Sequence, residues 1–175
     1  NSVGMYIEDG DNLINTGNIT GSSARTVGLY LENDSASEVS NNGTINLSGD
    51  RSIGIYASGG GAHTINNTNT ILIGDSITET DPSIGIYSKD NSTVNNSGNI
   101  TSGKTSIGIY NNSGRVNHTL GTINAGETGV GLYTDSGSLN LNSGTLKLNG
   151  IDSIGIYATN SAVIDNNMLT NVSSR

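Results

Sequence analysis

All seven tyrosines of this chain fall in one pentapeptide: a small residue, Ile or Val, Gly, an aliphatic residue or Met, then Tyr. The copies are Ser2-Val3-Gly4-Met5-Tyr6, Thr26-Val27-Gly28-Leu29-Tyr30, Ser52-Ile53-Gly54-Ile55-Tyr56 and Ser83-Ile84-Gly85-Ile86-Tyr87. Ser106-Ile107-Gly108-Ile109-Tyr110, Gly129-Val130-Gly131-Leu132-Tyr133 and Ser153-Ile154-Gly155-Ile156-Tyr157 complete the set. Successive tyrosines stand 24, 26, 31, 23, 23 and 24 residues apart. A repeat of this length is one supersecondary unit that cannot bury its apolar side alone and must stack on its neighbours.

A second motif lies between the copies: aliphatic, polar, Asn, polar, Gly, polar, aliphatic. It appears at Leu13 to Ile19, Val39 to Ile45 and Val94 to Ile100, and with Asn69 in the Gly place at Ile65 to Ile71. Val163 to Leu169 keeps the frame with Asp165 and Asn167, and one residue is inserted in the copies around Gly121 and Gly144. The closing aliphatics form a column of Ile19, Ile45, Ile71, Ile100, Ile123, Leu146 and Leu169.

Each unit thus holds three short alternating segments separated by Gly, Asn and Ser, and alternation with period 2 is the mark of a strand. The expected fold is all-β: a parallel β-helix of about seven coils of 23–24 residues, with three strands per coil. Right-handed winding is the expected hand for parallel crossovers. Seven coils at ~4.8 Å each give a rod of about 33 Å. Residues 1–175 read as one β-helix segment cut from a longer rod, because the repeat opens at residue 2 and ends without a polar cap. Gly, Asn, Ser and Thr make 94 of the 175 residues, a bias that without periodicity would suggest disorder. Small stacked aliphatics fill a narrow interior, in keeping with the absence of Phe and Trp. Within Ile53-Gly54-Ile55, regular alternation turns both isoleucines inward and Gly54 outward, beside Tyr56.

Repeated Ser-Ile-Gly-Ile-Tyr with intervening Asn-x-Gly-x-Ile units resembles the passenger region of type V autotransporters. The resemblance is greatest to the large outer-membrane adhesins of fusobacteria, and it covers essentially the whole chain. It implies a right-handed β-helical stalk on the bacterial cell surface, anchored through a C-terminal outer-membrane β-barrel. It also implies a role in virulence and cell adhesion, with a host-cell or bacterial surface protein or glycan as partner. Zero Cys suits a passenger threaded through a narrow pore. The formal net charge of −8 suits an exposed acidic rod. A monomeric rod is expected.

Against that frame of repeats, few residues offer chemistry. Asn15, Asn41, Asn67 and Asn96 recur two residues before the Gly place, where stacked amides can form a structural ladder. His118 falls at the same corner. The tyrosines, Tyr30, Tyr56, Tyr87, Tyr110 and Tyr133 among them, form a candidate aromatic face. Rings that shield strand glycines suffice to explain it, and a strip for sugars or a partner is the functional alternative. The longest departure from the period, Gly74 to Pro82, is a candidate binding loop carrying Asp75, Glu79, Asp81 and Pro82, the chain's single proline. A shorter departure runs from Glu32 to Glu38. The acidic turn Glu8-Asp9-Gly10-Asp11 lacks the spacing of a calcium loop, so no metal or other cofactor is expected.

Seven Lys and Arg disfavour nucleic acid. No apolar run is long enough to insert in a membrane as a helix. A polysaccharide lyase or hydrolase on the same fold needs carboxylates and a base converging in one groove, and no such constellation is visible, so no catalytic residue is expected. His63 and His118 stand two coils apart, too far for a triad or a zinc site. An ice-binding solenoid needs a flat Thr array, whereas the threonines scatter across phases. The leading expectation is an adhesin stalk, with a glycan-processing enzyme and a passive spacer as alternatives.

Overall fold

A computed structural model describes residues 2–8, 12–167 and 169–172. Three seven-stranded parallel sheets, called A, B and C here, run side by side along one axis, and the chain visits them in the order A, B, C in every coil. The third coil is representative: Ile53–Ser58 lies in sheet A, Thr64–Asn67 in sheet B and Thr70–Ile73 in sheet C. Each strand pairs with its equivalents in the coils before and after. Tyr56 therefore sits opposite both Tyr30 and Tyr87, and Ile71 opposite both Ile45 and Ile100. Among the described residues, no strand pairs with a strand of its own coil. The fold is the β-solenoid that the repeat predicts, three strands to a coil.

Sheets B and C alternate cleanly. In Thr64–Asn67 and Thr70–Ile73 the second and fourth side chains are buried and the others partly exposed. Leu13, Val39, Ile65, Val94, Val116 and Leu139 enter the core from sheet B. Ile45, Ile71, Ile100, Ile123 and Leu146 enter it from sheet C. Stacked at strand spacing, they fill the interior with like on like, and each fully buried aliphatic contributes about 1.5–3 kcal/mol before entropy.

Sheet A departs from the expected alternation. Ile55, Ile86, Ile109, Leu132 and Leu29 are fully buried core residues, but Ile53, Ile107 and Val130 lie outside the core cluster. The glycine between them faces inward, not outward: a Cβ on Gly54 would meet Ile71 Cγ2 at 2.9 Å and the Gly85 carbonyl oxygen at 2.5 Å. Gly28, Gly85 and Gly108 meet Ile45, Ile100 and Ile123 in the same way. The strand thus turns two successive positions to the core, which only a residue without Cβ allows, and the first aliphatic of each pentapeptide is left on the outer surface. Ala57 and Leu31 then resume the inward side.

The last coil also corrects the sequence frame by one residue. Ile164 pairs with Leu139, and Val163 with Ser138. In sheet C, Thr170 stands opposite Leu146, and Leu169 opposite Thr145. Val163 is accordingly exposed.

Candidate functional site

Two columns share the outer face of sheet A. One is the tyrosine column, whose rings stack on one another. Centroid separations from Tyr6 to Tyr157 are 5.4, 4.9, 5.0, 5.1, 4.6 and 5.1 Å. Every pair after the first lies within 17° of parallel. Ring faces are therefore covered by ring faces, and the interior tyrosines offer edges and hydroxyls to the surroundings. A sugar stacking face-on is shut out along the column. Burial, followed by the neighbouring phenols, raises the Tyr87 and Tyr110 hydroxyls above the ordinary phenol value. Tyr30 is raised most, chiefly because its hydroxyl donates to the Glu32 carboxylate, with burial adding to the effect. All three remain neutral phenols at physiological pH.

The second column was not foreseen from the sequence. It consists of the outward aliphatics Val27, Ile53, Ile84, Ile107 and Val130, one per coil, set three residues before the tyrosines. Between Ile107 and the end of sheet A these side chains form the floor of a groove of about 660 Å³. Tyr133 and Tyr157 line one side, and the corner residues Thr105, Thr128 and Asp152 the other. Glu79 and Pro82 of the insertion close it off. Among the described residues, the only charges on this lining are carboxylates.

The insertion does not stand free. Asp75 Oδ1 accepts the Lys104 N–H at 2.7 Å, and the Ser76 N–H donates to the Lys104 carbonyl at 2.9 Å. Toward the other end, the Ile77 N–H donates to Asp50 Oδ1 at 2.9 Å. Asp81 lies 3.6 Å from the Arg25 guanidinium and 3.9 Å from that of Arg51, which also binds Asp50 at 2.8 Å. The segment is thus a strap across the corners of four consecutive coils. Of the four candidate loop residues, Asp75 and Asp81 serve the strap, while Glu79 and Pro82 face the groove. The Arg25–Asp81 pair is exposed, and such pairs contribute about 0–1 kcal/mol.

The asparagine ladder is present and internal. Asn15 Nδ2 donates to Asn41 Oδ1 at 2.8 Å, Asn41 to Asn67 at 2.8 Å and Asn67 to Asn96 at 2.7 Å. Asn96 Nδ2 continues it to His118 Nδ1 at 2.9 Å. The same Nδ1 lies 3.2 Å from the Asn96 carbonyl oxygen, and Nε2 is a buried atom with no partner among the described residues. Burial lowers the His118 pKa from its ordinary 6.5. His63 is buried too: its Nδ1 accepts the Ser37 N–H at 3.3 Å and its Nε2 donates to the Ser58 carbonyl at 3.1 Å. Both histidines act as corner fasteners.

A second amide ladder, on the outside of sheet B, also escaped the sequence reading. Asn140 donates to Asn117 at 3.0 Å, Asn117 to Asn95 at 2.8 Å and Asn95 to Asn66 at 2.9 Å, and Asn66 donates to Glu38 Oε1 at 2.9 Å. The doublets Asn66-Asn67 and Asn95-Asn96 carried that signal, one amide for each side of the sheet. Threonines are also less scattered than the sequence suggests. Thr44, Thr70, Thr122 and Thr145 all open strands of sheet C. The next outward column mixes Asn46, Leu72, Thr101, Asn124 and Lys147, so no two-column threonine array forms among the described residues.

Among the described residues, no three His, Asp or Glu side chains gather as a metal site. Asp9, Gly10 and Asp11 of the acidic turn lie outside the described residues. No family model, curated protein or solved structure matches this chain.

Proposed function

We propose that this chain is a stalk segment of a bacterial cell-surface adhesin. In this reading it meets a surface protein or glycan through the outer face of sheet A, beside the 74–82 strap. The observation that carries the reading is the groove where outward Ile107 and Val130, the edges of Tyr133 and Tyr157, and Glu79 and Pro82 come together. An apolar floor with hydroxyls along both sides suits a partner that buries carbon and exchanges hydrogen bonds at its rim. Acidic balance, absence of Cys and a rod-shaped repeat are in keeping with exposure outside the cell. A passive spacer is the second reading. It is favoured by the sameness of the columns in sheets B and C, which repeat coil after coil without a distinguishing feature.

The test is binding of the purified chain to a glycan panel and to intact epithelial and bacterial cells. Val130→Asp and Glu79→Ala would be run alongside, with unchanged circular dichroism as the condition for including either. Saturable binding that both substitutions weaken at least about tenfold is the expected result, the loss of one well-placed contact in each case. Binding that neither substitution alters would move the contact off this groove. No binding to any surface would leave the spacer reading.

A further inference from the structure

We propose that the tyrosine column is a site of oxidative cross-linking, where ring neighbours on successive coils join as dityrosine. Six consecutive ring pairs lie at 4.6–5.4 Å, and the strand register places each tyrosine directly opposite the next. Tyr56, Tyr87, Tyr110 and Tyr133 are half-buried with their edges outward, so an oxidant in solvent reaches the hydroxyl and the adjacent ring carbons. The chain has no Cys and no Trp, leaving tyrosine as its readiest donor of single electrons.

The chemistry needs an external one-electron oxidant, such as a peroxidase-generated or photogenerated radical, and two equivalents for each bond. Each phenol gives up one electron and its hydroxyl proton. At Tyr30 the Glu32 carboxylate, already accepting that hydrogen bond, stands ready to take the proton, and elsewhere water does. Two neighbouring phenoxyl radicals couple between the carbons ortho to oxygen. The ring hydrogens at those carbons then shift to the oxygens, restoring both aromatic rings and both hydroxyls. Two tyrosines thus become one dityrosine with the loss of two electrons and two protons.

Stacking decides which tyrosines couple. A neighbour held in contact converts a bimolecular encounter into an intramolecular one. Tyr110 and Tyr133, closest at 4.6 Å and only 5° from parallel, are the preferred pair. Tyr6 and Tyr30, tilted by 43°, are the poorest. The inference stands apart from the adhesin reading, since it requires the column and not a partner.

The experiment oxidises the dilute 175-residue chain with a peroxidase and peroxide, follows dityrosine fluorescence, and maps the product after trypsin. Cleavage after Lys104, Arg115 and Lys147 puts Tyr110 and Tyr133 in separate peptides, 105–115 and 116–147. The expected product joins those two peptides and is lighter by two hydrogens. Its initial rate should be at least about tenfold higher in the folded chain than in urea, since only the folded coil holds the rings together. Tyr133→Phe keeps a ring in the stack and should abolish that product. Equal rates in folded and unfolded chain, links between tyrosines that are not neighbours, or dimers formed between molecules as the main product would each overturn the proposal.

Discussion

Replacing Gly108 by Ala tests whether the pentapeptide glycine faces the core. A Cβ at Gly108 stands 2.5 Å from the carbonyl oxygen of Gly131 and 3.0 Å from Ile123 Cγ2. The oxygen belongs to a strand paired on both sides, so it cannot swing away as a flexible side chain would. Restoring ordinary contact requires the coils to part by roughly 1 Å at that point. Overpacking of this kind costs about 1–3 kcal/mol. The more restricted unfolded chain returns about 0.5–1 kcal/mol. A net loss of about 0–2.5 kcal/mol is therefore expected, centred near 1 kcal/mol. Urea unfolding followed by circular dichroism measures it, with hydrogen exchange added because coils of a solenoid open in part independently. Gly17→Ala is the control: a Cβ there meets nothing within 4 Å, so only the unfolded-chain gain remains and the variant should be more stable by about 0.5–1 kcal/mol. If Gly108→Ala were stabilised as much as Gly17→Ala, the glycine would have to face outward under the rings, and the account of sheet A would fail.

Three further outcomes are expected. Asn67→Ala orphans the Asn41 amide hydrogen and the Asn96 amide oxygen, both buried, and should cost about 2–4 kcal/mol. Asn66→Ala, on the outer ladder where water replaces the lost partner, should cost under about 1 kcal/mol. Equal urea midpoints for the two would refute the inside–outside distinction. Thr128 occupies a left-handed corner at φ 51°, a strained place for a β-branched residue, so Thr128→Asn should raise stability by about 0.5–1 kcal/mol. A lowered midpoint would mean that its 2.9 Å hydroxyl contact with Thr105 outweighs the strain. For His118 the sign follows from a folded-state pKa depressed below 6.5. The unfolded chain takes up a proton first, so stability is full above pH 6.5 and falls as pH drops from there toward the folded value. His118→Asn should flatten the dependence of urea midpoint on pH in that window, and an unchanged slope would exclude His118 as its source.

The coil was legible because its signals are one-dimensional. The spacing of Tyr6 through Tyr157 gives the strand register of sheet A without further argument, and the ladder from Asn15 to Asn96 follows from stacking alone. Sheet A's inner face was not legible, because alternation assumes a regular strand. Gly54 breaks it by letting Gly85 and Ile71 approach to distances no Cβ tolerates, and that clash comes from other coils and another sheet. The last coil slipped for a related reason: Val163-Ile164 offers two adjacent aliphatics, and only pairing with Ser138 and Leu139 chooses between them. The insertion was recognisable as a break in period, but its ties to Arg25 and Arg51 lie along the axis, where spacing carries no information.

That break bears on where recognition can reside. A column repeated at every coil presents the same surface at each step, so a partner docked on it gains nothing from one register over the next. Such a column can supply area and avidity, but it cannot fix a position. Position has to come from what does not repeat. On sheet A that is the strap: Glu79 and Pro82 meet the groove at one end only, and Ile84 beside them is far more buried than Ile154 at the other, at 7% exposed against 42%. The open stretch over Ile107, Val130 and Ile154 thus has a defined starting point. A partner reading it would register against Glu79 and extend along the aliphatic and tyrosine columns, with strength set by how many coils it spans. Affinity that rises with ligand length, yet is lost on Glu79→Ala at every length, is the signature of that arrangement. A length dependence indifferent to Glu79 would assign binding to the repeat alone.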